Sequence, residues 1–203
     1  MPVVQDMDIS DIRRLNILWS EVYPYLAQQV NSILPESGRV FLEVGPFSGG
    51  ISFELVKSRQ ASSMVIADSR EEILNYLKDE VKKRKLLSQI RLIRSDLPAL
   101  QFRKAEFDGV ICRGAFFFLD ELMLQEIHRV LRAGGVGFVG GGFGGLTPRR
   151  LIDEIAVESR RLNKGLGKKW MSRTYLEEMI ARAGLEKDSR ISEEGGLWLI
   201  LQK

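Results

Sequence analysis

Glu43-Val44-Gly45-Pro46-Phe47-Ser48-Gly49-Gly50 is the stretch whose reading decides the fold. The short apolar run Val40 to Val44 enters it, and "ISFELVKS" (Ile51 to Ser58), with helical spacing of its apolar residues, leaves it. A glycine-bearing turn therefore joins a buried strand to a helix. Such a turn is the usual first connection of a parallel α/β sheet, where the crossover after each strand is a helix.

The elements on either side repeat that alternation. Upstream, Ile9 to Leu34 has helical spacing (Ile12, Leu15, Ile17, Leu18, Val22, Leu26, Val30), with Pro24 predicting a kink or a split into two pieces. "PESG" (35–38) breaks the pattern before the first strand. Downstream, "SMVIAD", "IRLIRSD", "FDGVICRG" and "GGVGFVGG" read as strands two to five. The helix "SREEILNYLKDEV" follows the second, with Ser69 and Glu72 at capping-box spacing, and "DELMLQEIHRVLRA" lies between the fourth and fifth. Two helices, "TPRRLIDEIAVESRRLN" and "SRTYLEEMIARAG", precede a closing pair, "LEKDSRIS" and "GLWLILQK", whose short "EEGG" connection predicts antiparallel pairing. The expected fold is α/β: a doubly wound, mostly parallel seven-stranded sheet with an antiparallel last strand and helices on both faces. Residues 1–36 are expected to form a helical cap or lid on a single domain over residues 37–203.

Composition narrows the classes of function. The chain has 203 residues, of which 44% are hydrophobic and 28% charged, an ordinary balance for one globular domain. No run approaches the roughly 20 apolar residues a membrane-spanning helix needs. The first residues, "MPVVQDMDIS", lack both a basic and an apolar leader segment, which predicts a cytoplasmic protein. One cysteine, Cys112, and one histidine, His128, provide neither an internal disulfide nor a soft-ligand metal set, so no metal is expected. Net charge is +3, with basic clusters at 78–85 and from Arg149 to Arg173, where eight basic residues outnumber three acidic ones. Such clusters attract anions or form solvated helix faces.

In doubly wound sheets ligands lie beyond the carboxyl ends of the strands at the switch point. Three acids stand there. Glu43 ends the first strand, Asp68 ends the second 25 positions later, and Asp96 ends the third. An acid at the second strand's end takes both hydroxyls of a ribose. At the third, a carboxylate accepts from an adenine amino group while the N–H of Leu97 donates to a ring nitrogen. A dinucleotide site wants Gly-x-Gly-x-x-Gly, which "GPFSGG" does not supply, and a pyrophosphate beside Glu43 would be repelled.

On these residues the chain resembles the class I S-adenosylmethionine-dependent methyltransferases over nearly its whole length. "EVGPFSG" matches that family's acid-x-Gly-x-Gly-x-Gly motif at Glu43, Gly45 and Gly49, with Phe47 at the middle glycine position. "IADSREEIL" matches the ribose segment at Asp68 and Ser69, "IRSDL" the adenine side at Asp96 and Leu97, and "LQEIHRVLRAGG" the helix and turn before the fifth strand. The resemblance implies the Rossmann-like methyltransferase fold, S-adenosyl-L-methionine as cofactor and S-adenosyl-L-homocysteine as product. It assigns cofactor contacts to Glu43, Gly45, Pro46, Phe47, Gly49, Asp68, Ser69, Asp96, Leu97 and Arg113. Whether the Phe47 ring turns away from the ligand or fills its pocket is left open at this point.

The end of the fourth strand, "ICRGAFFFLDE", is where the resemblance puts the methyl acceptor. Arg113, Phe117 and Phe143 are candidate acceptor contacts, Arg113 suiting a carboxylate or phosphate, and Phe116 to Phe118 suiting an apolar wall or core. The segment from Gly134 to Gly145 holds eight glycines. It leads to Thr147 as an expected N-cap with Pro148 at the first helical position, a helix end that with Arg149 and Arg150 forms a candidate anion cradle. His128, on an amphipathic helix, reads as a boundary residue and Cys112 as a small buried hydrophobe. No residue stands out as a catalytic base. In the N-terminal helix Trp19, Tyr23 and Tyr25 suit a lid, a packed support or a dimer contact. The expected function is methyl transfer to a small-molecule acceptor, an anionic one included, by a monomer or homodimer. RNA methylation through the basic clusters and a non-catalytic regulatory role stand as alternatives, and aminopropyl transfer is disfavoured for want of an acidic polyamine site.

Overall fold

The computed structural model describes residues 7–34, 40–97 and 99–203. The chain order is α1 (Ile9–Leu18), α2 (Tyr23–Ile33), β1 (Val40–Val44), α3 (Gly50–Lys57), β2 (Ser63–Asp68), α4 (Glu71–Lys83), β3 (Ile90–Arg94), β4 (Phe107–Arg113), α5 (Glu121–Val130), β5 (Leu131–Gly142), α6 (Arg149–Gly165), α7 (Arg173–Ala183), β6 (Ser189–Ser192) and β7 (Gly196–Gln202). The expected domain boundary at residues 36 and 37 and the "PESG" break lie outside the described residues.

The seven strands form one sheet in the order β3-β2-β1-β4-β5-β7-β6. β1 pairs in parallel with β2 and β4, β2 with β3, and β4 with β5, while β7 is antiparallel to both β5 and β6. The order therefore reverses between β1 and β4, and the tips of β1, β2 and β4 meet there. Every residue of β4 is buried and β1 is buried from Phe41 onward, as expected of parallel strands covered by helices on both faces. The fold class expected from the sequence is the one observed.

Several boundaries differ from expectation, each for a local reason. The N-terminal helix splits into α1 and α2, with Pro24 in the first turn of α2, where its missing N–H has no intrahelical partner to lose. The Ser69–Glu72 capping box does not form. Asp68 takes the N–H of Arg70 at 2.8 Å, which delays the helix to Glu71 and leaves Arg70 as its N-cap without a side-chain cap bond. Thr147 is likewise not the cap of α6. Its hydroxyl donates to the Phe143 carbonyl, and Pro148 takes the cap position. "LEKDSRIS" yields only a four-residue strand, because Glu186–Asp188 closes into a 3₁₀ turn.

The glycine run is mostly strand. β5 extends from Leu131 to Gly142 and pairs with β7 along Val136–Gly142. Gly140 has φ +152°, and a Cβ there would collide with the Leu197 carbonyl of the neighbouring strand. The glycine thus serves the close approach of two backbones. Gly140→Ala is accordingly expected to destabilise the protein by about 3 kcal/mol and to lower Tm by roughly 10 °C, measured by thermal unfolding. An unchanged Tm would show that the strand pair has slack.

Candidate cofactor site

The site begins with a strand residue that caps a helix. Glu43 is fully buried, and its Oε2 accepts from the N–H of Gly49 at 2.9 Å, from the N–H of Ser52 at 3.1 Å and from the Ser52 hydroxyl. These donors belong to the first turn of α3, whose own N-cap, Gly49, has no side chain. One carboxylate thereby ties the end of β1 to the start of α3 and fixes the turn between them. Its other oxygen, Oε1, is buried without a partner. Burial raises the Glu43 pKa, against the pull of the Ser52 and Gly49 donors and of nearby Arg113.

The glycines of this turn leave its backbone open to close approach. The close approaches observed come from the protein's own side chains. Gly45 has φ +99°, and a Cβ there would lie 2.8 Å from the Phe118 ring. A Cβ on Gly49 would meet Leu77 at 2.7 Å and Phe53 at 3.2 Å, and one on Gly50 would overlap the Tyr23 ring. Phe47 is 1% exposed: its ring packs against Phe117, centroids 4.8 Å apart, and lies where a Cβ on Gly114 would come within 2.5 Å. The phenyl ring is thus turned toward the tip of β4. Pro46 is buried beside it.

Asp68, at the tip of β2, is also fully buried. Its Oδ1 holds the Arg70 N–H and its Oδ2 has no partner. Burial pushes its pKa up to about 6, opposed by the Arg70 N–H and guanidinium. Ser69 is half-buried, Asp96 exposed and Leu97 half-buried, so the β3 side is the open side of the site.

Arg113, at the tip of β4, is 3% exposed, and among the described residues it forms no ion pair. Its Nη2 donates to Asn16 Oδ1 at 2.7 Å, to the Tyr23 hydroxyl at 2.8 Å and to the Phe47 carbonyl at 2.9 Å. The rings of Trp19, Tyr23 and Phe47 surround the guanidinium at 5.0, 5.1 and 5.4 Å. The Arg113 head therefore faces the N-terminal helices and the β1 turn. Trp19 also stacks on Phe143, centroids 4.7 Å apart, bringing α1 to the β5 tip.

Arg149 and Arg150 lie apart from this cluster on the solvent face of α6, paired with Asp153 and Glu154 one helical turn away, each at 2.9 Å. Cys112 is buried, and its thiol pKa is raised by that burial. His128 Nε2 lies 3.0 Å from Asp188 on the far side of α5. Sequence reasoning missed Asn16 and Arg70, and it named Phe118 as wall or core without its contact to Gly45. The one-dimensional signal for these contacts is nil, since each residue meets the site only through tertiary packing. Tyr23 and Trp19 stood out as aromatics, but their partner Arg113 did not follow from spacing.

Comparison with known proteins agrees with this architecture. Residues 41–135 match the family model described as a methyltransferase domain. A demethylmenaquinone methyltransferase of Bacteroides fragilis is 27% identical over 108 residues, covering 52% of this chain and 44% of that protein, so the match spans less than half of the relative's length. A crystal structure from Methanococcus maripaludis described as an S-adenosyl-L-methionine-dependent methyltransferase superposes with a TM-score of 0.80 at 23% identity, covering 97% of this chain and 93% of that one. A SAM-dependent methyltransferase from Aquifex aeolicus superposes with a TM-score of 0.67 at 15% identity, covering 97% of both chains.

The raised Asp68 pKa carries a stability prediction. A carboxyl that holds its proton more tightly when folded favours the folded state below its unfolded pKa near 3.8. That contribution is lost as pH rises through about 6. Between pH 4.5 and pH 7 wild-type stability is thus expected to fall, with Asp68 contributing on the order of 3 kcal/mol or less. Asp68→Asn is expected to flatten that decline in urea unfolding curves; identical pH profiles would refute the assignment.

Proposed function

We propose that this chain, which belongs to the class I S-adenosylmethionine-dependent methyltransferase family, transfers the methyl group of S-adenosylmethionine to a small organic acceptor. The observation that carries the reading is a pair of unpaired, desolvated carboxylate oxygens, Glu43 Oε1 and Asp68 Oδ2, on the neighbouring tips of β1 and β2. Burying a carboxylate is costly, and burial raises both pKa values against the pull of the donors on the other oxygens. An adenosyl sulfonium brings the matching groups: an ammonium for Glu43 and ribose hydroxyls for Asp68. Asp96 is exposed on the adjacent β3 side, where an adenine amino group would reach it, with the Leu97 N–H beside it. The donor set fits the cofactor.

When bound, the cofactor supplies an already activated methyl on sulfonium, so the protein's task is to position, orient and exclude water. Glu43 holds the α3 end of the turn with one oxygen and is free to hold the ligand's ammonium with the other. Arg113, Phe47 and Phe117 form a rigid wall at the β4 tip, which fixes the direction from which an acceptor approaches. The partial likeness to a quinone-methylating enzyme supports a small-molecule acceptor. The pairing of Arg149, Arg150 and Arg161 with acids of their own helix weighs against an RNA-binding face.

One observation favours a second reading, a protein that keeps the fold without binding the cofactor: Phe118 and Tyr23 fill the contact positions at Gly45 and Gly50. Titration calorimetry with S-adenosylhomocysteine separates the two. Micromolar binding, weakened at least tenfold by Asp68→Ala, is expected; no heat at millimolar ligand would favour the second reading. Phe118→Ala clears Gly45 and is expected to tighten binding severalfold while costing about 3 kcal/mol of stability through the cavity it leaves. Methyl-labelled cofactor incubated with small phenols and quinols, demethylmenaquinone among them, then identifies the acceptor class.

A further inference from the structure

We infer that α1 and α2 form a strap closed over the cofactor-side strand tips, that this strap lifts to admit the cofactor, and that Arg113 is its catch. The inference rests on reading the tips as an S-adenosylmethionine site, and assigns Arg113 a positioning role in place of a ligand contact.

The first support is closure. Every residue from Glu43 to Gly49 is buried, and Asp68 is fully so, yet a ligand must touch these groups. Seven buried side-chain polar atoms among the described residues lack a hydrogen-bond partner, and four of them sit here: Glu43 Oε1, Ser48 Oγ, Asp68 Oδ2 and Arg113 Nε. Unsatisfied polar atoms destabilise a closed arrangement relative to one in which water or ligand reaches them. The closed site is therefore locally poised to open.

The second support is what does the covering. At the β2 side, Asp8 is the N-cap of α1. Its carboxyl pKa is held down by its Ser10 hydrogen bonds and, less strongly, by Arg70, the residue beside Asp68. At the β1 turn, the Tyr23 ring of α2 lies on Gly50. At the β4 tip Asn16 and Tyr23 accept from Arg113, and at the β5 tip Trp19 stacks on Phe143 while its indole N–H donates to Ser159 at 2.9 Å. One continuous segment thus touches the β1 turn and the tips of β4 and β5, and its start carries a charge toward the β2 side.

The third support is the chemistry of the catch. A single nitrogen, Arg113 Nη2, serves three acceptors from three places: Asn16 on α1, Tyr23 on α2 and the Phe47 carbonyl in the turn. It ties the strap to the turn that the cofactor must contact. Among the described residues the cation has no ion-paired carboxylate, and two of its three ring partners belong to the strap. Lifting the strap exposes the guanidinium to water, whose hydration replaces much of what is lost, so the catch can release reversibly. A buried ion pair would resist release far more strongly.

The test uses the full chain, S-adenosylhomocysteine as ligand, stopped-flow association and hydrogen exchange followed by mass spectrometry. In wild type the observed association rate should level off at high ligand, limited by strap opening. Tyr23→Phe keeps the ring on Gly50 but removes the hydroxyl, and Asn16→Ala removes the other strap acceptor. Each should raise that limiting rate tenfold or more and speed exchange in residues 9–33, with β1 and β4 amides unchanged. Binding by the variants but not by wild type would also support a shut strap. Intact binding with a rate linear in ligand and indifferent to both substitutions would overturn the strap while sparing the cofactor reading. Absence of binding in wild type and both variants would overturn the cofactor reading and the strap with it.

Discussion

The arrangement depends on one buried carboxylate and on the different uses of its two oxygens. Glu43 Oε2 satisfies three donors in the first turn of α3, a task no side chain at the helix's own N-cap performs. That tie sets the path of the β1 turn, and the turn sets where the rings of Phe47 and Phe118 pack. Glu43 Oε1 is left over, buried and unpaired, on the side where the sheet order reverses. Structure and function thus meet in a single residue. Loss of the carboxylate would free the helix end and, on the proposed function, remove a cofactor contact with it.

The site trades stability for readiness. Asp68 repeats the pattern of Glu43, with one oxygen bonded to its own turn and one unpaired, and both acids are harder to ionise than their exposed counterparts. Arg113 is the complementary case, a buried cation held by rings and neutral oxygens, with no ion-paired acid among the described residues. Charges kept this way favour whatever next supplies a partner, be it ligand or water. That preference links the electrostatics of the strand tips to the proposed opening of α1 and α2 above them.

Much of this was legible in the chain. The strand–turn–helix rhythm and the antiparallel close follow from local periodicity, and the observed sheet agrees with them; Glu43 and Asp68 lie in β1 and β2 as expected, while β3 stops at Arg94, two residues short of Asp96. What was not legible comes from contacts between residues far apart in sequence. The neighbours of Gly45 and Gly50 are Phe118 and Tyr23, and the partners of Arg113 lie 97 and 90 positions away in α1 and α2. The two failed helix caps share one cause. A competing local bond, Asp68 to the Arg70 N–H in one case and Thr147 to the Phe143 carbonyl in the other, captured a group that the one-dimensional pattern gave to the helix. The glycines of β5 were visible as an anomaly, but only the register with β7 explains them.

The central claim is that two half-satisfied carboxylates on adjacent strand tips recognise an adenosyl amino acid. A crystal structure of the protein soaked with S-adenosylhomocysteine tests it most directly. The account predicts the ribose hydroxyls within hydrogen-bond distance of Asp68 Oδ2 and the ligand's ammonium at Glu43 Oε1, directly or through one water. Ligand density elsewhere, with both oxygens still buried and unpaired, would contradict it.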